Sequence, residues 1–127
     1  MAKVLLVGEG RRGKTEWCRS VASYVPTQGV EVDPLRWYDQ IVKVWDCAGV
    51  AKYGGLRDGY YIGANAVIVF ADNETEALFW LNEVARVIPN INFIVLTRSE
   101  NLSNFTTIPV YDKSLLTRNQ IFDLLLA

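Results

Sequence analysis

The sequence predicts an α/β fold: a sheet of about six strands, mostly parallel with one antiparallel strand, flanked by helices. Three observations predict it. Short, continuously apolar, β-rich runs recur along the 127 residues, as strands buried on both faces require. Segments with apolar residues at helical spacing alternate with those runs, the pattern of strand–helix–strand units. Between the second and third strands, Pro34 and the polar Tyr38-Asp39-Gln40 suggest a hairpin. Half of the residues are apolar and 21% are charged, which suits a packed core and excludes a disordered chain. A single domain over residues 1–127 is the expected organisation, with no repeat or linker-like stretch to divide it.

Residues 3–7 read as the first strand, and Gly8-Glu-Gly-Arg-Arg-Gly-Lys-Thr15 follows it. Residues 16–23 then read as a helix, with Trp17, Val21 and Tyr24 at helical spacing. Residues 30–32 read as the second strand and residues 41–45 as the third, with Pro34 and the polar Tyr38-Asp39-Gln40 between them. Residues 66–71 are the fourth strand. Asn73 or Thr75 caps a helix to about Ile88, which turns Ala77, Leu78, Leu81, Val84, Ala85 and Ile88 inward and ends at Pro89-Asn90. Residues 92–96 and 108–111 give the fifth and sixth strands. Residues 117–127 form a terminal helix with Ile121, Leu124 and Leu125 facing inward.

Composition narrows the chemistry. Thirteen Lys and Arg against 14 Asp and Glu give a net charge of −1, so no broad basic surface for direct nucleic-acid binding is expected. The chain has no histidine, which excludes Ser-His-Asp and Cys-His catalysis and any metal site built on imidazole. Its two cysteines, Cys18 and Cys47, form neither a disulfide framework nor a zinc pattern, and a reducing, intracellular setting is expected. No signal peptide, membrane span or C-terminal prenylation cysteine is evident, so no membrane anchor is expected.

Gly8-x-x-x-x-Gly13-Lys14-Thr15 has the Walker A pattern in the right setting, with a buried strand before it and a helix after it. Main-chain amides at a helix N-terminus hold phosphate oxygens, and the helix dipole adds positive potential. Gly8, Gly10 and Gly13 let the chain wrap closely. Lys14 reaches the β- and γ-phosphates and the Thr15 hydroxyl coordinates Mg²⁺. Arg11 and Arg12 fill the middle of the loop, where small residues fit better; they either touch the phosphates or lie solvated on the rim.

The third strand ends in Asp46-Cys-Ala-Gly49, a D-x-x-G motif, and the run from Val44 through Gly54-Gly-Leu-Arg-Asp-Gly-Tyr-Tyr-Ile62 resembles the third strand and switch II of the Ran family of Ras-like small GTPases. Tyr24-Val-Pro-Thr-Gln-Gly-Val-Glu-Val-Asp-Pro-Leu35 resembles that family's switch I and second strand, and residues 80–87 one of its helices. The resemblance reaches about Leu96. It implies a P-loop G domain that binds GTP or GDP with Mg²⁺. Thr27 matches the switch I threonine, which joins Thr15 and Asp46 at the metal, and Gly49 matches the γ-phosphate sensor. Tyr53, Arg57, Asp58, Tyr60 and Tyr61 match the surface offered to Ran regulators and nuclear-transport receptors, which implies a cytoplasmic protein with possible access to the nucleus.

Three departures qualify that resemblance. Val50 stands at the catalytic glutamine position and can neither donate nor accept a hydrogen bond to the attacking water, so slow or absent hydrolysis is expected, and no residue is certain as catalytic. The guanine-reading Asn-Lys-x-Asp motif is missing. Glu100 or Asn101 are the remaining acceptors near it, with Tyr24 as the nearest aromatic for stacking and Ser114-Leu115 weakly resembling the second base loop. Helix count is also reduced, since residues 101–111 are too few for the usual helix. Two functions follow: a minimal GTP-binding protein, or a pseudo-GTPase that engages transport factors through switch II. A P-loop kinase ranks third, because it leaves the switch II run unexplained.

Overall fold

The computed structural model describes residues 2–8, 31–47 and 56–127. It contains a six-stranded sheet in the order β2-β3-β1-β4-β5-β6, made of β1 (Ala2–Gly8), β2 (Glu31–Trp37), β3 (Gln40–Asp46), β4 (Ala66–Phe70), β5 (Asn92–Thr97) and β6 (Tyr111–Asp112). Every pairing is parallel except β2 with β3. The predicted fold class is therefore observed: mostly parallel, with one antiparallel edge strand. The helices are α1 (Leu56–Tyr61), α2 (Glu74–Ala85) and α3 (Arg118–Leu126), with short 3₁₀ turns at Ser99–Asn104 and Lys113–Leu115. The helix predicted at residues 16–23 lies outside the described residues.

β1 is central, and Val4 to Val7 are all 0% exposed because both faces of the sheet are covered. One face carries Val4, Leu6, Leu35, Val42, Val44, Ile68, Phe70 and Leu96 with Ile121, Phe122 and Leu125 of α3. The other carries Leu5, Val7, Val67, Val69 and Val95 with Tyr61 of α1 and Ala77, Trp80 and Val84 of α2. Alternate residues of each strand serve alternate faces, as the pleat dictates.

The bounds of β2 and β6 differ most from the sequence reading, each for a physical reason. β2 runs on to Trp37 through Pro34, which an edge strand tolerates because it needs only one partner. Tyr38 makes the tight turn at φ 56, and its hydroxyl donates to Asp123 Oδ2 at 3.1 Å. Beside it, the Trp37 indole N–H donates to Asp123 Oδ1 at 2.9 Å, tying the hairpin to α3. β6 starts at Tyr111 rather than Ile108, because the amides of Thr106, Thr107 and Ile108 all donate to Glu74 Oε1 and Pro109 has none.

The two long helices are rotated from the predicted faces. In α2, Ala77, Trp80 and Val84 are buried, while Leu78 is 45% exposed and Ala85 is also exposed. Two overlapping stripes were available, and the one containing the indole buries more area. In α3, Phe122 replaces Leu124, which is 56% exposed, for the same reason. Asn73 caps α2 by accepting from the Glu76 amide at 3.0 Å, and Thr117 and Gln120 form a capping box on α3. α2 stops at Ala85, and Asn90 adopts φ 64, which asparagine tolerates.

Candidate functional site

Parallel pairing brings the carboxyl ends of β1, β3, β4, β5 and β6 to one edge of the sheet. The strand order reverses at β1, which lies between β3 and β4, and open α/β sheets bind ligands in the crevice beyond such a reversal. Gly8 ends β1 at that point. Its φ of +134 is a glycine conformation, and an added Cβ would meet the Phe70 carbonyl oxygen of β4. The first glycine of the Walker A pattern is thus required by close approach of two strands. Gly10, Arg11, Arg12, Gly13, Lys14, Thr15, Tyr24, Thr27, Gly49, Val50 and Tyr53 lie outside the described residues, as do the side chains of Arg57 and Asp58.

Asp46 pairs in register with Leu6 of β1, and the Cys47 amide donates to the Leu6 carbonyl at 3.0 Å. The D-x-x-G aspartate therefore starts beside the strand that delivers the phosphate loop, 6% exposed. An ionisable carboxylate at this edge fits a divalent cation, together with the hydroxyls assigned to Thr15 and Thr27 from sequence. Asp33, which the sequence reading passed over, lies in β2 on the same side of the sheet, only 1% exposed. Burial, and then the Asp46 charge, hold its carboxyl above the usual range. Its signal in the sequence was a charge in line with the alternating apolar positions Leu35 and Trp37.

A carboxyl held above its ordinary value makes the metal-free fold less stable as pH rises from about 3.8 through the raised value. Asp33→Asn is therefore expected to make the metal-free protein more stable at pH 7, read by urea unfolding. A less stable variant would contradict this.

The segment that resembles switch II enters the described region as α1. Tyr61 is fully buried in the α2-side core, so it belongs to the fold and is removed from the proposed partner surface. Six residues of helix leave room for one large anchor, and Tyr61 points down toward the sheet. Tyr60 is half-buried with its ring 6.4 Å from that of Trp45. Lys3 Nζ lies over the same indole, 3.9 Å from the ring centroid, and donates to the Ile62 carbonyl at 2.8 Å. Burial lowers the Lys3 pKa, with an opposing pull from Cys47.

Residues 98–101 and 112–115 meet at the ends of β5 and β6, where Thr97 pairs with Asp112. Of the base-contact candidates, Asn101 donates to Asp72 Oδ1 at 3.2 Å, and Asn104 donates to the Asp72 carbonyl at 3.0 Å. The Ser114 hydroxyl and amide donate to Asp112 Oδ1 at 2.7 and 3.0 Å. Glu100 is exposed, and Leu115 is 76% exposed. A separate concavity of about 420 Å³, lined by Ala2, Trp37, Gln40, Asn65 and Asn92 among others, opens at the opposite edge of the sheet.

Glu74 locks residues 106–108 to α2. Besides three amides it accepts from the Thr106 hydroxyl at 3.2 Å, and the amides pull its pKa from an ordinary 4.5 to about 2. Its contribution is full above pH 4.5 and is lost as pH falls toward 2. Glu74→Gln is expected to deprotect the amides of residues 106–108 in hydrogen exchange at pH 6, with little change in the β4 amides. Unchanged protection would contradict the lock.

A family model described as Roc, the Ras of Complex domain of DAPkinase, matches residues 3–100. The chain belongs to the Roc family. A Roc domain is a Ras-superfamily GTPase domain, and the match covers the strands and motifs that build the site: Gly8, Asp46, the α1 segment and the loop to Glu100. It ends at Glu100, so β6, α3 and the Ser114-Leu115 loop lie beyond the part the Roc model matches. Membership in this family of GTPases implies guanine-nucleotide binding, usually with Mg²⁺.

Proposed function

We propose that this Roc-family chain is a minimal, Ran-like GTP-binding protein, Mg²⁺-dependent, with slow or absent hydrolysis. The observation that carries the reading is a β1 terminus that only glycine fits, with a buried aspartate of β3 paired in register with Leu6, two residues before it. That arrangement supports a phosphate loop and a metal carboxylate at one edge. When bound, Mg²⁺ would screen the β- and γ-phosphate charge. Gly8 shapes the loop's entry, Lys14 pairs with the phosphates, and Thr15, Thr27 and Asp46 would hold the ion. Gly49 would sense the γ-phosphate, and loss of that phosphate would release Thr27 and Gly49.

Selectivity for the base is weak in this reading. Asn101 and Ser114 spend their polar groups within the protein, which leaves Glu100 as the acceptor for the guanine N1 and N2 groups. The test is competition of GTP, GDP and ATP against a labelled guanine nucleotide, with and without Mg²⁺. A preference for GTP and GDP over ATP that shrinks in Glu100→Gln supports the reading; equal indifference to all three refutes it. Val50→Gln is expected to raise single-turnover hydrolysis, because glutamine orients the attacking water.

The internal bonding of Asn101 and Ser114 also favours a second reading. In it the chain is a pseudo-GTPase that docks Ran regulators or nuclear-transport receptors through Tyr53, Arg57, Asp58 and Tyr60, working in the cytoplasm or nucleus. Arg57→Ala should then abolish receptor pull-down while nucleotide binding stays weak throughout.

A further inference from the structure

Two buried carboxylates share one side of the β2–β3 ladder, and the reading above uses only one of them. Asp33 pairs with Val44, two positions from Asp46 along β3, so the two aspartates are diagonal neighbours with Cα atoms about 7–8 Å apart. Both lie on the face that carries Leu35, Val42 and Val44. Asp33 is 1% exposed, and neither of its carboxylate oxygens has a hydrogen-bond partner among the described residues. Lys3, Arg36 and Lys43 occupy alternate positions, with Leu5, Val32 and Trp45, and so belong to the opposite face.

A buried carboxylate without a donor, beside a second acid, is costly unless a cation compensates it. Mg²⁺ sites commonly use one or two protein carboxylates and keep several waters, so the second acid acts directly or through a metal-bound water. We propose that Asp33 is a second acidic residue of the divalent-cation site, supplying with Asp46 the negative charge that holds the metal at this end of the sheet. The inference rests on reading Asp46 as a metal residue. It does not depend on nucleotide, because both acids belong to strands and the phosphates to the loop after β1.

The experiment titrates Mn²⁺ alone into the nucleotide-free full chain and follows free Mn²⁺ by electron paramagnetic resonance. Wild type should bind one ion, and the isosteric Asp33→Asn should weaken binding by about tenfold or more. Asp46→Asn should weaken it at least as much, and Lys14→Ala should not weaken it. Equal affinity in wild type and Asp33→Asn, or no Mn²⁺ binding by wild type, overturns the proposal. Urea unfolding of metal-free Asp33→Asn separates metal binding from folding: a variant less stable than wild type would mark Asp33 as structural and also overturn it. Asp33-dependent Mn²⁺ binding without GTP binding would refute the GTPase reading alone, and GTP binding with Asp33-independent Mn²⁺ affinity would refute this proposal alone.

Discussion

Gly8→Ala is expected to destabilise the protein by about 3 kcal/mol or more, a large loss for one added methyl group. Two effects combine. The backbone sits at φ +134, a region alanine avoids, and the new Cβ would be driven into the Phe70 carbonyl of the neighbouring strand. Neither partner can give way cheaply, because Gly8 and Phe70 are paired in register at the ends of two central strands and Phe70 is 0% exposed. Guanidinium unfolding of the purified variant measures the loss. A change below about 1 kcal/mol would mean that β1 and β4 are not in such close contact.

Tyr61→Ala is the second large effect, expected at about 3–5 kcal/mol in the same assay. Its side chain is fully buried in the α2-side core cluster, so truncation leaves a cavity that strands cannot collapse to fill. The neighbouring Tyr60→Ala should cost less than about 2 kcal/mol, since that ring is half-buried and rests on Trp45. Similar losses for the two would mean that α1 does not present Tyr61 alone to the core.

The same pair shows what was legible in the sequence. Adjacent tyrosines in a switch II-like run look equivalent as letters. Which one is core depends on how α1 is rotated against the sheet, a tertiary fact with no local signature. The strands were easier, because four-to-six-residue apolar runs such as Val4–Val7 and Ala66–Phe70 have few other uses. Helix faces failed where two stripes competed, in α2 between Leu78 and Trp80 and in α3 between Leu124 and Phe122. β6 was misplaced because Glu74, more than thirty residues earlier, consumes the amides that would have extended it. At the site, Gly8 and Asp46 announced themselves through motifs. Asp33 did not, since its meaning comes from a diagonal neighbour across a hairpin.

The central claim is that the edge beyond Gly8 and beside Asp46 holds the phosphates of a guanine nucleotide with a magnesium ion. Calorimetric titration of GTP with Mg²⁺ into wild type and Lys14→Ala tests it most directly. The account predicts one-to-one binding by wild type, weakened about a hundredfold by removing the lysine and its charge-assisted bonds to phosphate. Equal affinity in the two proteins, or no heat of binding from a folded wild type, would contradict it.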